Sequence, residues 1–137
     1  MKHLLDASHV LWAIKSSATE EDLLRLFGEN CILDLTKYEI GNGLWKEHTL
    51  HKSMEEDEFH EFLSLFGRII QRTQILSVEA EELPQVGDLA AKERITFYDA
   101  SYIIVAKTRN LTLATRDARL SKVASKYAKT ASRIEGR

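Results

Sequence analysis

Cysteine is almost missing from this 137-residue sequence. Cys31 has no partner, so no disulfide can form within the chain, and a reducing compartment, the cytoplasm, is the expected location. Proline is equally scarce: Pro84 stands alone, and no Pro-rich or Gly/Ser-rich stretch reads as a linker. None of the six glycines falls in a phosphate-cradling loop pattern. No segment approaches ~18 uninterrupted apolar residues, so no membrane span is expected. The opening Met1-Lys2-His3-Leu4-Leu5-Asp6 lacks the apolar run of a signal peptide. An excess of positive charge is also missing. With 19 Lys+Arg against 21 Asp+Glu the formal net charge is −2, which gives no support for broad electrostatic attraction to nucleic acid and leaves a local site or metal to hold it. There is no Gly-x-Ser-x-Gly elbow, and Cys31 sits inside an apolar run rather than at an exposed helix start, so nucleophilic hydrolysis is disfavoured. The histidines are His3, His9, His48, His51 and His60. Without a second cysteine they do not make a zinc set, and they are read as surface residues.

What is present is the composition of an ordinary globular domain, 44% hydrophobic and 29% charged. One domain over residues 1–132 is expected. Residues 133–137 end in Ile134-Glu135-Gly136-Arg137, a protease recognition sequence used in recombinant expression, and are set aside as a remnant of it. Short apolar runs at Leu4-Leu5, Cys31 to Leu35, Ile75 to Val78 and Leu111 to Ala114 are read as strands. Between them lie helical patterns at Ala7–Lys15, Glu20–Phe27, Thr36–Leu50, Glu55–Arg72, Pro84–Lys92, Asp99–Lys107 and Asp117–Tyr127. Strands alternating with helices predict an α/β fold with a parallel sheet, because parallel strands need crossover helices. Leu23, Leu26, Leu44 and Trp45 offer more apolar surface than one sheet face covers, which predicts a homodimer.

Three aspartates occupy equivalent junctions: Leu5-Asp6-Ala7-Ser8, Tyr98-Asp99-Ala100-Ser101 and Arg116-Asp117-Ala118-Arg119. Each alone reads as a plain helix N-cap. Together they mean more, because the C-terminal ends of parallel strands meet at one edge, where ligands bind. Carboxylates gathered there repel unless a cation neutralises them. Thr36-Lys37-Tyr38-Glu39 fits a capping box equally well. Glu39 nevertheless shares a helix face with Asn42, Gly43 and Lys46. Gly41 and Gly43 each cost that helix roughly 1 kcal/mol, a cost better understood if something approaches it closely.

These segments resemble the PIN-domain family. Leu4 to Ser8 is similar to its opening strand and first acid. Thr36 to Lys46 resembles the glutamate-bearing motif, Ile95 to Ile103 the third motif, and Leu113 to Leu120 the fourth. The similarity runs through most of residues 1–130 and is nearest the VapC-type toxin ribonucleases. It implies a three-layer α/β/α sandwich with a mainly parallel central sheet, Mg²⁺ or Mn²⁺ held by carboxylates, and hydrolysis of RNA phosphodiesters. On this resemblance Asp6, Glu39, Asp99 and Asp117 form the catalytic, metal-binding quartet. Asp6 and Asp99 are the main ligands, and Ser8, Asn42 and Thr115 are supporting polar residues. It further implies an RNA substrate, an antitoxin partner and a paired chain. One departure is that Lys126 to Ser132 lacks the clear final strand of many members. Two other functions are compatible with the fold: an RNA-binding or scaffolding module that has lost catalysis, and an RNA-processing nuclease outside toxin–antitoxin systems. Four retained acids favour the enzyme over the first, and the short chain, without insertions or a zinc module, favours the toxin over the second.

Overall fold

The structure, a computed structural model, describes residues 2–134; Met1 and residues 135–137 lie outside the description. In chain order the elements are β1 (His3–Leu5), α1 (Ala7–Ile14), α2 (Glu20–Gly28), β2 (Cys31–Leu33), α3 (Thr36–Trp45), α4 (Glu56–Ile70) and β3 (Gln74–Leu76). They continue with α5 (Leu83–Glu93), α6 (Phe97–Thr108), β4 (Thr112–Ala114), α7 (Ala118–Ala124) and β5 (Thr130–Ala131). The strands form one sheet in the order β3-β2-β1-β4-β5, and every pairing is parallel. The first strand is therefore central. Leu4 lies opposite Cys31 on one side and Leu113 on the other.

Alternation along these short strands divides the core into two layers. Leu5, Ile32 and Ala114 face one layer with Val10, Ile14, Leu23, Phe27, Ile40, Leu44 and Phe66, from α1 to α4. Leu4, Cys31, Leu33 and Leu113 face the other, with Val86, Leu89, Ile103, Val105 and Leu120 from α5, α6 and α7. The result is a three-layer α/β/α sandwich. The central strands β1, β2 and β4 are buried on both faces and so read as apolar runs, whereas β3 at the sheet edge is mostly exposed. Helix α6 is buried continuously from Ala100 to Ala106, as its nearly all-round apolar sequence requires. Among the described residues no helix is long and apolar enough to cross a membrane.

Several expectations need correction. The helix read as Thr36–Leu50 changes after Trp45 into a π-helical turn, Lys46–Leu50, closed by the His51 N–H donating to the Lys46 carbonyl at 2.9 Å. The final strand exists: Thr130 and Ala131 pair with Leu113 and Ala114. Two residues carry too little alternation to announce a strand. Leu23, Leu26 and Leu44 are not surplus apolar surface, since α1 to α4 cover one another and bury all three; only Trp45 of that set is exposed. Ile134, set aside with the terminal remnant, packs into the first core layer, while Glu135, Gly136 and Arg137 lie outside the described residues.

Candidate active site

The C-terminal edge of the sheet collects the acids. Asp6 directly follows β1 and Thr115 directly follows β4, its nearest neighbour in the sheet. Asp6 is 4% exposed and N-caps α1. Its Oδ1 accepts the His9 N–H at 2.9 Å and the Ser8 hydroxyl at 2.7 Å, and its Oδ2 accepts the Thr115 hydroxyl at 2.5 Å. Thr115 Oγ1 in turn accepts the Asp117 N–H at 3.0 Å. Asp117 is exposed and N-caps α7, taking the Arg119 and Leu120 N–H groups on Oδ1. Ser8 and Thr115 thus orient the buried carboxylate and tie it to the fourth acid.

Glu39 stands in the first turn of α3, half-buried. The capping box read there does not form. Leu35 is the N-cap, and Thr36 is buried with its hydroxyl 2.6 Å from the Tyr102 hydroxyl. Tyr102 donates to Glu39 Oε1 at 2.7 Å. Its single proton is committed to the carboxylate, so Thr36 must be the donor to Tyr102. Tyr102 went unnoticed in the sequence. The signal was its position three residues after Asp99, on the same helix face, with a polar tip in an otherwise apolar helix. Asp99 also needs correction: it does not cap α6 but lies in its first turn, its N–H donating to the capping Thr96 hydroxyl at 3.0 Å. Its carboxylate is therefore not committed to a cap. Asn42 is exposed one turn beyond Glu39.

The electrostatics show that the four acids share one region. Burial raises Asp6 above the ordinary carboxylate range, against its three hydrogen bonds, and the Asp117 charge adds to the rise. Glu39 is raised first by burial and then by the charges of Asp99 and Asp6, with the Tyr102 bond opposing. Asp99 is raised by burial, then by Asp117 and Asp6, while Arg119 opposes. The Tyr102 hydroxyl is held well above its usual value by burial and by Glu39. Three histidines depart from the expected surface placement, His3 being partly buried on β1. His9 is buried on the core face of α1, and its ring is lowered to about 4 by burial, then by Arg116 and His3. His48 is partly buried, hydrogen-bonded to the Met54 carbonyl at 2.8 Å and stacked on Phe59.

The donors that converge are carboxylate and hydroxyl oxygens, which suits a hard divalent cation such as Mg²⁺ or Mn²⁺. Among the described residues no three His, Cys, Asp or Glu side chains are already drawn tightly enough to hold an ion. Like charges in a partly desolvated cleft have no reason to close up without a cation between them.

The PIN domain family pattern matches residues 3–126. This chain belongs to the PIN-domain family. The PIN domain is VapC-like: it is 32% identical over 120 residues to a protein named Exonuclease VapC9 from Pyrobaculum aerophilum, covering 88% of this chain and 84% of the relative. It is 32% identical over 124 residues to one named Ribonuclease VapC3 from the same organism, covering 88% and 93%. Among solved structures, that of PAE2754 from Pyrobaculum aerophilum superposes with a TM-score of 0.76 at 29% identity, covering 95% of this PIN domain and 89% of that chain. A DNA-bound VapBC structure from Salmonella typhimurium shares the fold, with a TM-score of 0.69 at 19% identity, covering 96% and 97%.

Proposed function

We propose that this PIN domain is a metal-dependent endoribonuclease, the toxin of a cytoplasmic toxin–antitoxin pair, working as a homodimer. The observation that carries the activity is the gathering of Asp6, Glu39 and Asp99 on one sheet edge, each raised first by burial and less by a neighbouring acid, with Asp117 tied to Asp6 through Thr115. Among the described residues, no other group at that edge is suited to hydrolysis. Asp6 and Asp99 are the main ligands for Mg²⁺ or Mn²⁺, with Glu39 and Asp117 holding it directly or through water. When bound, the cation neutralises the acids and stabilises the charge that develops on the phosphate during hydrolysis. The remaining residues prepare the site. Ser8 and Thr115 fix both oxygens of Asp6, and Tyr102 fixes Glu39, so the donors are held in place before a phosphate arrives. The antitoxin and RNA assignments rest on the VapC-like relatives.

The test is cleavage of an RNA panel in Mg²⁺ or Mn²⁺ and again in excess chelator, with Asp6→Asn and Asp99→Asn. Cleavage is expected to vanish in chelator and to fall by at least ~100-fold in both variants. Undiminished cleavage in chelator would overturn the metal mechanism. The name of the relative Exonuclease VapC9 makes end-wise cleavage the second reading. A circular RNA separates the two: an endonuclease opens it and an exonuclease leaves it intact.

A further inference from the structure

An acidic domain that handles RNA cannot rely on general attraction to hold it. The formal net charge is −2, and the cleft itself is lined by carboxylates. Affinity must come from local contacts. Several exposed aromatics lie near the acids, Tyr38 with Lys37 over its ring and Tyr98 among them, but the one joined to Asp6 by hydrogen bonds is Trp12 with Arg116. Trp12 lies on α1, six residues along the helix from Asp6, which is roughly 9 Å along the axis. It is 43% exposed, although an indole is normally covered. The Arg116 guanidinium carbon lies 4.3 Å from the centre of the Trp12 ring. Arg116 is itself exposed, and it is pinned from two sides. Its side chain donates to the Ser132 carbonyl at 3.1 Å, and its backbone N–H donates to Ser8 Oγ at 2.9 Å. Ser8 in turn donates to Asp6 Oδ1. Two hydrogen bonds therefore connect the indole–guanidinium stack to the most buried acid of the site.

We propose that the Trp12–Arg116 stack is a platform on which one unpaired RNA base rests beside the scissile phosphate. The proposal deepens the ribonuclease reading and depends on it for the word scissile. Unpaired bases stack on aromatic rings and on guanidinium planes, and such stacking holds bases of any identity. The guanidinium also brings a positive charge that a phosphate-bearing ligand needs near four carboxylates. A cavity of about 560 Å³ touches the indole on α1, lined by Trp12, Ser16, Ser17, Asp22, Arg25 and Arg133 among others and not by Arg116 or the four acids, so it extends the platform away from the carboxylates. That volume is within the ~300–1,000 Å³ range of sites for small organic ligands, enough for one nucleotide. The cavity's serine hydroxyls suit a ribose and Arg133 a phosphate, while Arg25 is already paired with Glu21 and Asp22. A platform of this kind selects single-stranded over paired RNA, because a paired base has no free face.

The sequence makes the test direct, since it contains two tryptophans, Trp12 and Trp45. In a Trp45→Phe background the indole emission reports Trp12 alone. The probe is a single-stranded RNA hexamer in excess chelator, followed by hexamers with one abasic position moved along the strand. Binding is expected to quench the emission, and one abasic position is expected to remove the quenching and weaken binding. Trp12→Ala should weaken binding on the order of tenfold, with Trp12→Phe restoring most of it. Arg116→Lys, which keeps the charge but loses the plane, should also weaken it. A merely structural role for Trp12 would not make affinity depend on which nucleotide lacks its base. Cleavage of RNA by the parent in Mn²⁺ is measured separately. A parent that cleaves while Trp12 stays unquenched, or while abasic position is without effect, overturns the platform alone. A parent that shows the abasic dependence but cleaves nothing overturns the ribonuclease reading and leaves the platform standing.

Discussion

At the scale of single residues, the site depends on protons and carboxylates being held where solvent alone would not hold them. The Asp99 carboxyl is raised by burial and then by Asp117 and Asp6. A folded-state value above the unfolded one disfavours the charged native form. Metal-free protein therefore loses stability as the pH rises from about the ordinary 3.8 through the raised value, and stays weakened at neutral pH. Asp99→Asn carries no charge at any pH. In chelator it is expected to melt above the parent at pH 7, with the advantage shrinking as the pH falls towards about 4. Excess Mn²⁺ should raise the parent's melting temperature, by the equivalent of about 2.7 kcal/mol at a hundredfold excess over Kd, and the variant's by much less. Equal metal-induced shifts would remove Asp99 from the ligand set. Tyr102 is a positioning residue, and its test differs. Tyr102→Phe leaves Thr36 and Glu39 without their shared partner, at a stability cost of about 1–3 kcal/mol. It also removes the bond that opposes elevation of Glu39, so more Mn²⁺ should be needed for half-maximal cleavage. An unchanged Mn²⁺ midpoint would confine Tyr102 to a stabilising role.

At the scale of elements, α3 shows how a helix is shaped by what passes it. A Cβ at Gly43 would meet Leu11 Cδ1 at 3.1 Å, so close packing on α1 explains that glycine. A Cβ at Gly41 would meet nothing within 4 Å. Gly41→Ala is therefore expected to stabilise the protein by up to about 1 kcal/mol in urea denaturation, and Gly43→Ala by less. If RNA passes over the Gly41 side of α3, the more stable variant will cleave more slowly; a variant both stabilised and fully active would place the path elsewhere. The same helix shows what was legible in the sequence. Its existence, the apolar strands and the parallel topology followed from patterns within ten or fifteen residues, as did the local junctions of Asp6 and Asp117. The role of Thr36 did not, because its partner Tyr102 is 66 positions away and a local capping pattern offered a complete alternative. Asp99 was misread by three residues because Thr96, not the acid, satisfies the first turn of α6. The two-residue β5 is defined by its neighbour β4 and had no pattern of its own.

At the scale of the whole molecule, the exposed apolar residues are where a second copy would fit. Tyr38 is 72% exposed, Trp45 42% and Leu50 58%, all on α3 or the π-helical turn after it. Light scattering at micromolar concentration is expected to give a dimer mass, and Leu50→Glu to shift it towards the monomer. A monomer mass for the parent would remove the homodimer and leave this face for another protein.

The central position of β1 also sets a schedule. The Thr115–Asp6 hydrogen bond spans 109 positions, and β1 has β4 as one of its two flanking strands. A ribosome adding about 5–20 residues per second takes roughly 5–20 s to travel from one to the other. Throughout that interval the growing chain has its first acid but not the strand that completes its surroundings. A nascent chain therefore cannot assemble the proposed site until β4, Thr115 and Asp117 have been made, however early Asp6 leaves the exit tunnel.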